Sequence, residues 1–205
     1  MNAHTLMRGL RAATAGCWLA LLPIHAGAGV ADTCGDCHGK DGASIEPDVP
    51  VIGGQSAQYL SDALDDYRDD KRPCPESKYR AGDKARPAIT MCRIAKDLAA
   101  KDQIEITKAL SGKPFVRAKQ SFDAAKAATG KKVHELHCEK CHADGGSSKA
   151  DDSGVLAGQW QKYLEGAFNE IGDGKRPVPK KMKPKFEELS PAEKDALLQY
   201  YASFQ

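Results

Sequence analysis

The sequence predicts an all-α protein of two tandem domains related by internal duplication. Three observations carry this. The pattern CxxCH occurs at residues 34–38 (CGDCH) and again at 138–142 (CEKCH), 104 positions further on. The residues after each copy match in one ungapped register, as expected of a duplicated domain. Strand signals are weak, with few alternating apolar runs and aromatic residues at only 6%. A chain of 205 residues has room for two small domains.

In chain order, residues 1–28 read as a secretory signal peptide: Arg8 and Arg11, an apolar run over 12–24, then Ala26-Gly27-Ala28. The run is broken by Pro23 and falls short of the ~20 apolar residues that a spanning helix needs. Cys17 precedes most of the apolar segment, which is the wrong order for a lipoprotein cleavage site, so it belongs to the discarded peptide. No other stretch is apolar enough to cross a membrane. The expectation is a periplasmic protein with no membrane span after cleavage. Without Arg8 and Arg11, 28 basic residues face 28 acidic ones. A balanced chain gives no reason to expect nucleic acid or an anionic membrane as partner.

CxxCH is the attachment signature of c-type haem. Each cysteine sulfur adds to one haem vinyl group, and the adjacent histidine reaches the iron as its proximal ligand. One copy can belong to a zinc or thiol redox site; two copies in a secreted chain point to two covalently bound haem c groups, on Cys34, Cys37 and His38 and on Cys138, Cys141 and His142.

The 104-residue register also pairs Gly54-Gln55 with Gly158-Gln159, Tyr59-Leu60 with Tyr163-Leu164, and Lys71-Arg72-Pro73 with Lys175-Arg176-Pro177. Beyond these triplets 17 residues separate Pro73 from Met91, but only 4 separate Pro177 from Met182. The first half thus carries a 13-residue insertion. After it the offset is 91, pairing Met91 with Met182, Leu98 with Leu189, and residues 104–110 with 195–201. Each half should end in a helix. Ser190, Pro191 and Glu193 form a capping-box start for the second, and Val133 and Leu136 stand at helical spacing before Cys138. Pro73 and Pro177 are expected to end the helix before each methionine loop. The domains are read as 29–112 and 120–205, with a linker at 113–119 marked by Gly112 and Pro114.

Apart from Met1 and Met7 the chain has two methionines, Met91 and Met182, at matched positions. A thioether is a suitable second axial ligand for an electron-transfer haem, so the metal ligands are read as His38 with Met91 and His142 with Met182. The first half has no histidine besides His38 for bis-histidine ligation, and His134 and His137 read as surface or supporting residues. Cys74 and Cys92 are left over. They flank the insertion and most simply form a disulfide in an oxidising compartment, contributing ~3 kcal/mol in the chain-entropy model. A Cys92 thiolate on the first iron, or a soft-metal site, are the alternatives. Tyr59, Tyr163, Arg72 and Arg176 could hold haem propionates or serve packing. Gln55 and Gln159 take no role from sequence.

The plan of CxxCH followed by methionine in each half resembles the two-domain diheme cytochromes c. From Lys119 onward, QSFDAAKAATGKKVHELHCEKCHADGG, LAGQWQKYL, KRPVPKKM and YYASFQ are similar to the cytochrome subunit of flavocytochrome c sulfide dehydrogenase; the first half adds CGDCHGKDG and MCRIAKDL. The resemblance implies tandem class I cytochrome c domains in a heterodimer. A larger flavoprotein subunit, carrying FAD on its own chain, would oxidise sulfide, and this non-catalytic subunit would pass electrons to a soluble acceptor such as a small cytochrome c. The sequence departs from that pattern in its cysteine-flanked insertion and in the few residues left before Cys34. The alternatives are a free-standing diheme shuttle to a terminal oxidase, or a catalytic diheme enzyme such as a thiosulfate dehydrogenase or peroxidase.

Overall fold

Helix ends in this chain follow from local chemistry. In the computed structural model, which describes residues 33–150 and 152–205, nine α-helical segments occur among the described residues. They are α1 (Gly35–His38), α2 (Ala57–Arg68), α3 (Met91–Asp97), α4 (Ala100–Ser111), α5 (Ala124–His137), α6 (Ala143–Gly146), α7 (Gln161–Gly172), α8 (Met182–Glu187) and α9 (Pro191–Ala202). The signal peptide read at 1–28 lies outside the described residues. The fold is helical, with a single isolated β-bridge, Ser77 to Ile89, among those residues.

Side-chain oxygens start α2, α3 and α5: Ser56 accepts from Tyr59 N, Thr90 from Arg93 N, Asp123 from Ala125 N and Lys126 N. Ser190 and Glu193 form the full capping box at α9, with Pro191 in its first turn. The ends of α2 and α7 correct the sequence expectation. Neither Pro73 nor Pro177 terminates them. The helices stop five residues earlier, where Asp70 (φ 54°) and Gly174 (φ 70°) adopt the left-handed conformation. There Lys71 N bonds Asp66 O and Asp70 N bonds Tyr67 O; Lys175 N bonds Glu170 O and Gly174 N bonds Ile171 O. Both ends are Schellman motifs.

The two registers of the repeat reappear as backbone contacts. Ile52 N donates to Gly42 O at 2.9 Å, and Leu156 N to Gly146 O at 2.8 Å. Gly54 N donates to Leu110 O at 2.9 Å, and Gly158 N to Tyr201 O at 2.8 Å. Each final helix therefore holds the glycine loop of its own half. Val133, Leu164, Phe186, Leu189, Leu197, Leu198, Tyr200 and Tyr201 form the second core; Leu60, Ile106 and Leu110 form the first. Val133 and Leu136 lie in α5 as their spacing predicts, but Leu136 is 76% exposed and only Val133 faces the core. Helices α5 and α9 cross so closely that a Cβ on Gly130 would lie 2.0 Å from Ala196 O. Arg68 joins α2 to the α3 carbonyl of Ala95 and to Gln103 of α4.

The halves are locked by an exchange of glutamines. Gln55 Oε1 accepts from Val155 N (2.8 Å) while its Nε2 donates to Val155 O (3.4 Å). Gln159 Oε1 accepts from Val51 N (2.9 Å) and its Nε2 donates to Val51 O (2.9 Å). Both amides are 2% exposed. The exchange is the pseudo-twofold contact expected when a duplicated domain packs on its copy. The segment between α4 and α5 packs along this junction, with Ala118 N donating to Gly158 O at 2.7 Å.

Candidate haem sites

The first CxxCH forms α1 and the second a hydrogen-bonded turn between α5 and α6, each followed by a loop that orients its histidine. His38 Nδ1 lies 3.0 Å from Pro50 O, and His142 Nδ1 lies 3.2 Å from Gly154 O. A carbonyl only accepts, so both contacts require a proton on Nδ1 and leave the Nε2 lone pair free. Among the described residues Nε2 of neither ring has a hydrogen-bond partner. Burial pushes both imidazoles below the usual histidine pKa, which keeps them neutral, the form that binds a metal.

Cys34, Cys37, Cys138 and Cys141 take no part in a disulfide. Burial raises Cys34, Cys37 and Cys138, so they stand as neutral thiols. No cluster of three or more His, Cys, Asp or Glu side chains among the described residues is arranged to hold a metal ion. Within each motif the two thiols and the imidazole therefore do not converge on one point, as a zinc site demands. Haem makes the opposite demand, with sulfurs at the macrocycle's rim and imidazole at its centre.

Met91 and Met182 each open a helix, α3 and α8. Both are partly buried, and Met182 and Cys138 border the same apolar core. Cys34 borders the first core, and α3 packs on α2, which supplies Leu60 to that core. Cys74 and Cys92 are joined as a disulfide with Cα atoms 5.8 Å apart, which removes Cys92 as a thiolate ligand.

The repeated tyrosines and arginines meet at the junction. Arg176 donates to Tyr163 Oη at 3.4 and 3.5 Å, and Tyr59 packs where a Cβ on Gly154 would come within 2.9 Å of its ring. Burial would raise Tyr163, yet Arg176 and Arg72 together bring it to about 8, whereas burial pushes Tyr59 up to about 12. Arg72 is 7% exposed, its guanidinium lies 4.4 Å over the Tyr67 ring, and its Nε has no hydrogen-bond partner among the described residues. An orphaned donor on a buried cation calls for an anionic acceptor, and a haem propionate answers that description.

Sequence reasoning missed the carbonyls of Pro50 and Gly154, because a backbone acceptor leaves no mark on residue type. It also left the interlocking glutamines without a role. Their matched place in the repeat was the available signal. His134 is fully buried, so it is no surface residue: it meets Tyr201 Oη at 2.9 Å and Glu139 Oε2 at 2.6 Å.

Two helical halves, each with a histidine held by a loop carbonyl beside two cysteines and with a methionine opening a later helix, are the arrangement to be set against known proteins. A family profile described as "Cytochrome C oxidase, cbb3-type, subunit III" matches residues 125–200. Cytochrome c4 of Azotobacter vinelandii is 26% identical over 163 residues, 74% of this chain and 73% of that protein. Cytochrome c4 of Stutzerimonas stutzeri is 28% identical over 166 residues, with the same shares. Among solved structures, reduced recombinant cytochrome c4 from Pseudomonas stutzeri superposes with a TM-score of 0.68 at 24% identity, covering 87% of this chain and 97% of that one. Thiosulfate dehydrogenase (TsdBA) from Marichromatium purpuratum superposes with a TM-score of 0.66 at 22% identity, covering 83% of this chain and 36% of that one. The chain is thus similar to cytochromes c4 over 74% of its length and shares the fold of the solved cytochrome c4 structure.

Proposed function

We propose that the chain carries electrons through two covalently bound haem c groups. Cys34 and Cys37 would hold the first, with His38 and Met91 as its axial ligands. Cys138 and Cys141 would hold the second, with His142 and Met182. The observation that carries this reading is the matched pair of Nδ1 contacts to Pro50 and Gly154 carbonyls, which fixes the tautomer an iron ligand needs in both halves. Haem bound here supplies reversible one-electron redox chemistry; the chain positions the ligands, keeps them dry and gives the anionic edge of the group a buried guanidinium at Arg72. The domains would run over 29–112 and 120–205 with 113–119 between them, and the signal peptide would deliver the chain to the periplasm.

The sulfide-oxidising FAD flavoprotein donor, and with it the heterodimer, rests on the stretch after Lys119 quoted above. The free-standing shuttle draws its support from the likeness to whole cytochromes c4. An optical spectrum of natively purified protein separates them. Flavin at one per two haems, with haem reduced on adding sulfide, supports the flavoprotein subunit. A flavin-free protein that sulfide reduces only sluggishly leaves the shuttle.

A further inference from the structure

The two CxxCH turns are copies, yet their outer edges differ. In the first half the insertion folds back onto the turn. Arg80 N and Ala81 N both donate to Asp36 O at 2.8 Å, and Arg86 pairs with the Asp36 carboxylate. Arg80 also pairs with Asp48 at 2.8 Å, and a Cβ on Gly82 would lie 2.9 Å from Asp36 Oδ1. The Arg86 guanidinium stacks 3.6 Å from the centre of the Tyr79 ring, and the Cys74–Cys92 disulfide closes the base of the loop. Cys37 is accordingly half-covered, while its counterpart Cys141 is exposed.

One position in the motif differs to match. Asp36, the anchor for the insertion, corresponds to Lys140, which is exposed and has no ion-pair partner among the described residues. Around the methionines, Ile89 and Thr90 correspond to Lys180 and Lys181, both exposed and both without an ion-pair partner among the described residues.

We propose that the disulfide-closed insertion shuts the cysteine edge of the first site against protein partners. The chain then exchanges electrons with an acidic partner protein at the second site's open edge, where Lys140, Lys180 and Lys181 meet its carboxylates. Exposed lysines without an ion-pair partner can steer an acidic protein and set its orientation. The proposal rests on the diheme reading above, so haem content is established first, by a pyridine haemochrome assay of the purified holoprotein.

The test uses reduced flavodoxin, an acidic electron-transfer protein, as probe. Zero-length carbodiimide cross-links to flavodoxin, mapped by peptide mass spectrometry, should fall on Lys140, Lys180 and Lys181. Cross-links concentrated on Lys78 or Lys84 of the insertion would overturn the proposal while leaving the diheme reading intact. The surface variant Lys140→Glu/Lys181→Glu should lower the second-order reduction rate by flavodoxin roughly tenfold at low salt. It should flatten the salt dependence and leave reduction by photoreduced riboflavin, a small neutral donor, unchanged. An unchanged flavodoxin rate overturns the proposal.

Discussion

At the scale of single residues, the account turns on buried polar groups with defined partners. Gln159 makes two hydrogen bonds to one residue of the other half from a buried amide, so Gln159→Ala leaves Val51 N unsatisfied and Val51 O with only the 3.5 Å bond from Gln55 Nε2. The expected loss is ~2 kcal/mol, read as a lower denaturant midpoint, and Gln55→Ala should cost a similar amount. Glu139 has the opposite exposure but a central place: its carboxylate accepts from Asp144 N (3.0 Å), Gly145 N (3.2 Å) and the buried His134. Burial opposes its ionisation, but the bonds from His134 and Gly145 prevail and hold it below the ordinary glutamate value. A depressed carboxylate stabilises the fold above its unfolded pKa, and the contribution is lost as pH falls through about 4 and below. Glu139→Gln should therefore flatten the acid side of the stability profile, measured as melting temperature against pH; an unchanged acid slope would contradict this. The thiols, histidines and methionines were legible in the sequence because CxxCH and the repeat name them by type. The Pro50 and Gly154 carbonyls were not, since any residue supplies a carbonyl and only the loop's path decides which one faces the ring.

At the scale of elements, caps and close crossings decide the outcome. The start of α9 was readable because serine, proline and glutamate each satisfy a distinct need of a helix N-terminus. The ends of α2 and α7 were misread because proline was credited with a stop that a left-handed residue had already made. Asp70 hid that signal in the first half, where the second half has glycine. Gly130→Ala places a methyl group against Ala196 O and must push α5 from α9. It should cost more than ~3 kcal/mol, visible as lost helical signal at moderate denaturant. Cys74→Ser/Cys92→Ser removes the tether of an 18-residue separation. A loss of ~3 kcal/mol is expected, and the insertion should become susceptible to trypsin at Lys78 and Lys84. Resistance equal to that of the parent protein would show that the Asp36 contacts alone hold it.

At the scale of the whole molecule, duplication explains both what the halves share and how they meet. The matched backbone contacts recur at offsets of 104 and 91, and the glutamine exchange is the pseudo-symmetric lock between them. Duplication was legible from spacing alone; the lock was not, because an interface between copies depends on which surface each buries. Met91→Ala and Met182→Ala should each convert one haem to a high-spin spectrum with a lower reduction potential and leave the other unchanged, by redox titration of the holoprotein. The most direct test of the central claim is peptide mass spectrometry of the native chain for covalent haem. The account requires haem on both the peptide containing residues 34–38 and the peptide containing residues 138–142. Free thiols on either peptide in protein matured in a haem-attaching host would contradict it.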